Sequence, residues 1–146
     1  MIEKKIKTLR TLKTHSDYEL HCAKSHSKAC YLCSAPSIKA YKHWRIIENQ
    51  FPYDEVATMN NMVVSLRHAK EDDLTPDEKA EYQRIKADLH DEYDMIVENT
   101  HKQKSIPGHF HLHLLKIRER LMKFEEKRPC AVFLTAEAKT MIQSGP

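Results

Sequence analysis

Hydrophobic and polar positions alternate most regularly near residue 110. The segment 109–115 reads His-Phe-His-Leu-His-Leu-Leu, with an apolar side chain at every second position until its end. Successive side chains of a strand point to opposite faces of the sheet, so this pattern predicts a strand. The three histidines are expected on one face. Phe110, Leu112 and Leu114 are expected on the other face, where they can enter the core.

Helical patterns occur at two places in the chain. Thr75-Pro76-Asp77-Glu78 is a capping box with proline at the first helical position, and it predicts a helix that runs to about Tyr93. At the amino terminus, apolar residues recur at helical spacing and predict an amphipathic helix. These residues are Ile2, Ile6, Leu9 and Leu12.

Three further strands are predicted from short apolar runs at 44–47, 62–64 and 95–97. Strands and helices are mixed, and no internal repeat or linker separates them. The fold class expected is therefore α+β, with a single domain over 1–146.

Composition excludes several classes of protein. The chain has 146 residues, and 24 Lys and Arg against 21 Asp and Glu give a net charge of +3, which is no strong sign of nucleic-acid binding. The only glycines are Gly108 and Gly145, so a glycine-rich phosphate loop of the usual kind is excluded. No apolar run approaches the roughly 20 residues of a membrane span, and the charged amino terminus is unlike a signal peptide. We expect a cytoplasmic protein without a membrane partner.

Three histidines on one strand face suggest chemistry. A neutral imidazole can act as a nucleophile, a metal ligand or an acid and base. When an imidazole attacks phosphorus, a histidine carries the nucleotidyl group and one hard displacement becomes two easier ones. Two other interpretations stay open: a polar strand face that happens to be histidine, and an unrelated metalloenzyme in which His109, His111 and His113 hold a catalytic metal.

A second candidate for chemistry is the Cys30-x-x-Cys33 pair. This spacing is typical of zinc ligands, and His68 and His109 could complete a tetrahedral set. A redox pair or two core cysteines fit the same spacing.

The segment 109–115 resembles the signature His-φ-His-φ-His-φ-φ of the histidine triad (HIT) superfamily, where φ is apolar. The surrounding segments resemble the family in the same order, from 49–53 through 74–78 to 105–107. The resemblance covers about residues 30–116 and leaves 117–146 as a carboxy-terminal extension. It implies a HIT-like antiparallel sheet with a central helix, next to the predicted amino-terminal helix. It also implies a homodimer.

Membership would imply a nucleotide hydrolase or nucleotidyl transferase. Such an enzyme acts on phosphoanhydride or phosphoramidate bonds through a covalent nucleotidyl-histidine intermediate, with a nucleotide or nucleoside polyphosphate as its ligand. His111 matches the nucleophile, and His113 matches a residue that contacts the phosphate or orients His111. Asn49 matches an asparagine near the ribose, and Asn99 and Ser105 match polar positions near the phosphates.

The metal set also has a counterpart in this family. Cys30, Cys33, His68 and His109 resemble the zinc ligands of the galactose-1-phosphate uridylyltransferase branch, which implies a structural zinc ion.

The chain departs from the family pattern at several positions. Asn60-Asn61 stands where many members have a histidine, Lys116-Ile117 stands where many have Pro-Arg, and the glutamine-bearing phosphate loop is altered. These departures motivate an alternative function: a non-catalytic, zinc-stapled module that binds a nucleotide or a protein.

Overall fold

The computed structural model describes residues 1, 3–25 and 29–121. Its helices are α1 (Leu12–Lys24), α2 (Tyr31–Ser34) and α3 (Pro76–Glu92), with a 3₁₀ turn at Glu71–Asp73. Its strands are β1 (Ser37–Ala40), β2 (Trp44–Glu48), β3 (Ala57–Ser65), β4 (Met95–Val97) and β5 (His111–Ile117). All five strands form one antiparallel sheet in the order β1-β2-β3-β5-β4. The predicted α+β class is confirmed.

The sheet buries one face against α3. Phe110, Leu112 and Leu114 pack there with Trp44 and Leu89, as the alternating pattern predicts. The indole Nε1 of Trp44 also donates to a backbone carbonyl of α3 over 2.8 Å. This core fixes β5, and so it leaves His111 and His113 on the opposite face.

The predicted start and end of α3 are confirmed. The Thr75 hydroxyl accepts from the Glu78 amide over 3.2 Å, and the Glu78 carboxylate accepts from the Thr75 amide over 2.7 Å. Glu78 also pairs with Arg67, 2.9 Å away. The bond to Arg67 is the main reason that the pKa of Glu78 falls to about 2.

The predicted strands at 44–47, 62–64 and 95–97 lie within β2, β3 and β4 and are confirmed. The strand predicted over 109–115 begins two residues later, at His111. Phe110 precedes it because its amide donates to the carbonyl of Ala69 over 2.7 Å, outside the sheet ladder. His109 therefore occupies a loop with surroundings unlike those of His111 and His113.

The amino-terminal helix is present, but its predicted position is wrong. Residues 3–11 are not helical, and α1 begins at Leu12. The cap is Thr11, whose hydroxyl accepts from the Thr14 amide over 3.3 Å. Asp54 supports this cap, because its carboxylate accepts from the Thr11 amide over 2.8 Å and from the Thr14 hydroxyl over 2.6 Å. A carboxylate at this end satisfies the Thr11 amide and complements the helix dipole.

Among the described residues, no helix is long and apolar enough to span a membrane. Most of the predicted carboxy-terminal extension over 117–146 lies outside the described residues, which end at Leu121. The homodimer stays a prediction, as does the assignment of 1–146 to one domain.

Candidate functional site

A groove of about 1170 Å³ lies on the sheet face opposite α3. Its floor carries His111 and His113 from β5 and Met62 from β3. Its walls come from the loop 102–107, from α2, and from the amino-terminal segment with one side of α1. The volume lies slightly above the range of about 300–1,000 Å³ that is usual for small-molecule sites.

The hydrogen bonds of His111 define the tautomer of its ring. Its Nδ1 lies 2.8 Å from the carbonyl oxygen of His109. A carbonyl only accepts, so Nδ1 carries the proton and Nε2 keeps a lone pair. Burial lowers the pKa of His111, and the nearby positive charge of Lys104 lowers it further. No hydrogen bond to Nε2 forms within the described part of the chain, so a neutral ring with an unengaged nitrogen lines the groove.

His113 is held from several sides. Its Nε2 lies 3.2 Å from the Tyr53 hydroxyl and 3.3 Å from Asn99 Nδ2, and its Nδ1 lies 3.5 Å from Asn60 Nδ2. The Tyr53 ring stacks on the imidazole with centroids 4.5 Å apart. Burial lowers the pKa of His113 to about 3, so this ring is also neutral at pH 7. Its edge meets the ring of His111, with centroids 5.6 Å apart.

The predicted substrate-binding residues all line this groove: Asn49, Asn99 and Ser105. The amide of Asn49 is engaged within the protein, since Nδ2 donates to Asn60 Oδ1 over 2.9 Å and Oδ1 accepts from the Phe51 amide over 3.1 Å. The structure thus brings the predicted polar residues to the same groove as the two histidines. Their contacts with a ligand stay predictions.

The predicted metal ligands also come together, at a site beside the groove. Cys30, Cys33, His68 and His109 place one ligand atom each within 4.8 Å of one another. Cys30 comes from just before α2 and Cys33 from within it, while the two histidines come from the loops that follow β3 and precede β5. Residues 1, 3–25 and 29–121 contain no other group of three or more such side chains. The four residues could hold a metal ion.

The distances within this cluster suit a tetrahedral centre. Zinc bonds of about 2.3 Å to sulfur and about 2.05 Å to nitrogen, at the tetrahedral angle, place sulfur and nitrogen about 3.6 Å apart. Cys30 Sγ and Cys33 Sγ each lie 3.5 Å from His109 Nδ1. Cys33 Sγ lies 3.3 Å from His68 Nδ1.

His109 is prepared as a ligand by its outer hydrogen bond. Its Nε2 lies 2.7 Å from the carbonyl oxygen of Ser65, so Nε2 carries the proton and Nδ1 faces the thiols with a lone pair. Burial lowers the pKa of His109, which keeps the imidazole in its neutral, ligating form. Arg45 holds the turn that carries the cysteines, donating to the carbonyls of Leu32 and, over 3.0 Å, of Ala35.

The structure separates the three histidines of the 109–115 segment. His109 belongs to the Cys and His cluster, whereas His111 and His113 line the groove. The described residues therefore do not form a single metal centre from all three histidines. They do not form an exposed polar face either, because each is at most 5% exposed.

Sequence reasoning missed two residues that line the groove, Tyr53 and Arg10. Tyr53 stands in a segment that the sequence marks only as resembling the family, and its partner His113 lies sixty positions away. Arg10 falls within the wrongly placed helix, where a polar residue is expected to face solvent. Neither residue has a local signal, because each acquires its neighbours only through the tertiary fold.

No protein-family model matches the chain, and no curated protein matches it either. Among solved structures, it is similar to a histidine triad protein from Clostridium difficile, with a TM-score of 0.46 and 19% identity. That match covers 68% of this chain and 99% of the other. At this level of likeness, a function has to be inferred from the geometry of the site.

Proposed function

We propose that this chain is a HIT-like nucleotide hydrolase or nucleotidyl transferase that works through a nucleotidyl-His111 intermediate. The observation that carries the proposal is the hydrogen bond from His111 Nδ1 to the His109 carbonyl. It leaves Nε2 as the nucleophilic atom, in a groove large enough for a nucleotide. The lowered pKa of His111 supports this role, because only the neutral imidazole is a nucleophile.

The reaction would proceed in two displacements. First, the Nε2 lone pair of His111 forms a bond to phosphorus as the bond to the leaving group breaks. The leaving group takes the electron pair and then a proton from solvent. Second, water or another acceptor attacks the same phosphorus, the electrons of the N–P bond return to Nε2, and the acceptor's proton passes to solvent. The His109 carbonyl would stabilise the positive charge that develops on the ring in each step.

His113 would be a positioning residue in this scheme. Tyr53 and Asn60 supply polar neighbours for its two nitrogens, and its ring packs against that of His111. These contacts support the orientation of His111 rather than contact with a phosphate.

We propose that the Cys and His cluster binds a structural zinc ion. The ion would be held by Cys30, Cys33, His68 and His109, and its chemistry would be that of a closed four-ligand cross-link. The sulfur-to-nitrogen distances of 3.3 to 3.5 Å support this assignment. His109 would then link the two sites, because its ring belongs to the cluster and its carbonyl orients His111.

The competing proposal is a zinc-stapled module that binds a nucleotide or a protein without turnover. It is supported by Asn49, whose amide oxygen and nitrogen both form hydrogen bonds inside the protein rather than being open to a substrate. A covalent nucleotidyl adduct trapped on the wild-type protein would exclude it.

Turnover by His111→Ala and His111→Gly tests the enzymatic proposal. Dinucleoside polyphosphates and nucleoside phosphoramidates serve as substrates, and the exposed His90→Ala variant is the control. We expect loss of turnover in both His111 variants and wild-type turnover in the control. Undiminished turnover without the His111 imidazole would remove the mechanism.

A further inference from the structure

The amino-terminal segment, residues 6–11, is docked beside the two groove histidines. Arg10 Nε donates to the carbonyl of Phe51 over 2.8 Å, and the Asp54 carboxylate caps α1 through Thr11 and Thr14. Residues 6–11 form neither a helix nor a strand, and they are not part of the Cys and His cluster. Their contacts instead place their side chains along one wall of the groove.

Within this segment, Arg10 is held close to His113. Its guanidinium lies over two aromatic rings, 4.4 Å from the centroid of Tyr18 and 4.9 Å from that of Tyr53. The Tyr53 ring in turn stacks on His113. The Tyr53 ring therefore separates the permanent positive charge of Arg10 from His113 on the floor of the groove.

Arg10 also has unused donors. Of its five N–H groups only the one on Nε has a hydrogen-bond partner in the described chain, so the four on the terminal nitrogens are available to a ligand. No carboxylate forms an ion pair with Arg10 within the described residues. A half-buried guanidinium without an anionic partner is suited to a phosphate, which it can bind with two parallel hydrogen bonds.

The charges of the residues that line the groove agree with a phosphate site at Arg10. Among the described residues that line the groove, none is acidic, and the cations are Lys7, Arg10, Lys102 and Lys104. Lys104 is already paired with Glu98, 3.1 Å away, and Lys7 and Lys102 are exposed. Arg10 is the one cation of this set that is partly buried and has no carboxylate partner among the described residues.

We infer that Arg10 binds a phosphate beyond the one that His111 attacks. This inference rests on the proposed function, and it narrows the substrate class to nucleotides that carry two or more phosphates. Arg10 would be a specificity-determining residue, and the amino-terminal segment would be part of the substrate site.

The test compares the affinity of the zinc-loaded protein for AMP and for α,β-methylene-ADP, whose phosphorus–carbon bond cannot be cleaved by this reaction. Charge-assisted hydrogen bonds of the usual strength predict that the wild type binds the diphosphate about tenfold or more tightly. In Arg10→Met this preference should disappear, with little change in the affinity for AMP. The matched control is Lys13→Met, which removes an 87% exposed cation of α1 that does not line the groove.

Three results would overturn the inference: equal affinities in the wild type, an unchanged preference in Arg10→Met, or an equal fall in Lys13→Met. If Arg10→Met does not fold, Arg10→Lys decides. The lysine ammonium lacks the planar fork that gives two parallel hydrogen bonds to one phosphate, so we expect the preference to fall by about threefold or more, and an unchanged preference refutes the inference. Formation of the His111 adduct is scored separately, so failure of this inference and failure of the proposed reaction give different results.

Discussion

The Tyr53 hydroxyl contacts both Asn99 and His113, and its removal has a calculable cost. It accepts from Asn99 Nδ2 over 2.6 Å and lies 3.2 Å from His113 Nε2. Tyr53→Phe keeps the ring, and with it the stacking on His113, but removes both hydrogen-bond contacts. The variant therefore isolates the hydroxyl from the packing of the side chain.

The expected cost follows from the exposure of the two partners. Asn99 is partly exposed, so water can replace the lost acceptor, whereas His113 is only 5% exposed and its Nε2 keeps only the contact of 3.3 Å with Asn99 Nδ2. A net hydrogen bond contributes about 1 kcal/mol, and the substitution removes two such contacts. We therefore expect Tyr53→Phe to lower the free energy of unfolding by about 2 kcal/mol.

Urea denaturation at pH 7 measures this difference, with Tyr82→Phe as the control. The Tyr82 ring packs on Trp44 at 5.3 Å, but its hydroxyl makes no hydrogen bond within the described residues. The control should lie within about 0.5 kcal/mol of the wild type, and neither variant should change the urea dependence of the unfolding free energy. Equal stabilities for the two variants would refute the account of how His113 is held.

Two further predictions concern the Glu78 carboxylate and the Arg45 guanidinium. Glu78 has a folded-state pKa of about 2, below its ordinary value of 4.5, so its stabilising contribution is complete above pH 4.5 and is lost as the pH falls toward 2. Denaturation at several pH values should show a steeper acid loss of stability in the wild type than in Glu78→Gln; parallel curves would contradict this. Arg45→Met frees the turn that carries Cys33, and competition with a chelator should show zinc affinity about 10- to 100-fold weaker. Unchanged affinity would show that Arg45 does not support the cluster.

The sequence contained enough information for the centre of this fold. Alternation over 109–115 correctly assigned Phe110, Leu112 and Leu114 to the core, because a strand pattern and burial on one face are the same signal. The capping box located α3 because its hydrogen bonds are local, between Thr75 and Glu78. The Cys and His cluster was predictable from ligand type and Cys-x-x-Cys spacing.

Elements stabilised by residues far away in the sequence were not predictable. The strand β1 has exposed side chains along its whole length, so no hydrophobic pattern marks it, and it forms by pairing with β2. The Thr11 cap of α1 is held by Asp54, which lies forty positions or more beyond the residues it contacts. Apolar spacing from Ile2 to Leu12 suggested an earlier helix. That prediction failed because tertiary contacts override such local patterns.

The most direct test of the central claim is the intact mass of the protein after brief exposure to a panel of nucleotides, followed by mapping of any adduct. The account predicts a gain of one nucleotidyl group, located on His111 in the wild-type protein and absent from His111→Ala. An adduct on another residue, or one that persists in His111→Ala, would contradict the claim that the unengaged Nε2 of His111 is the nucleophile.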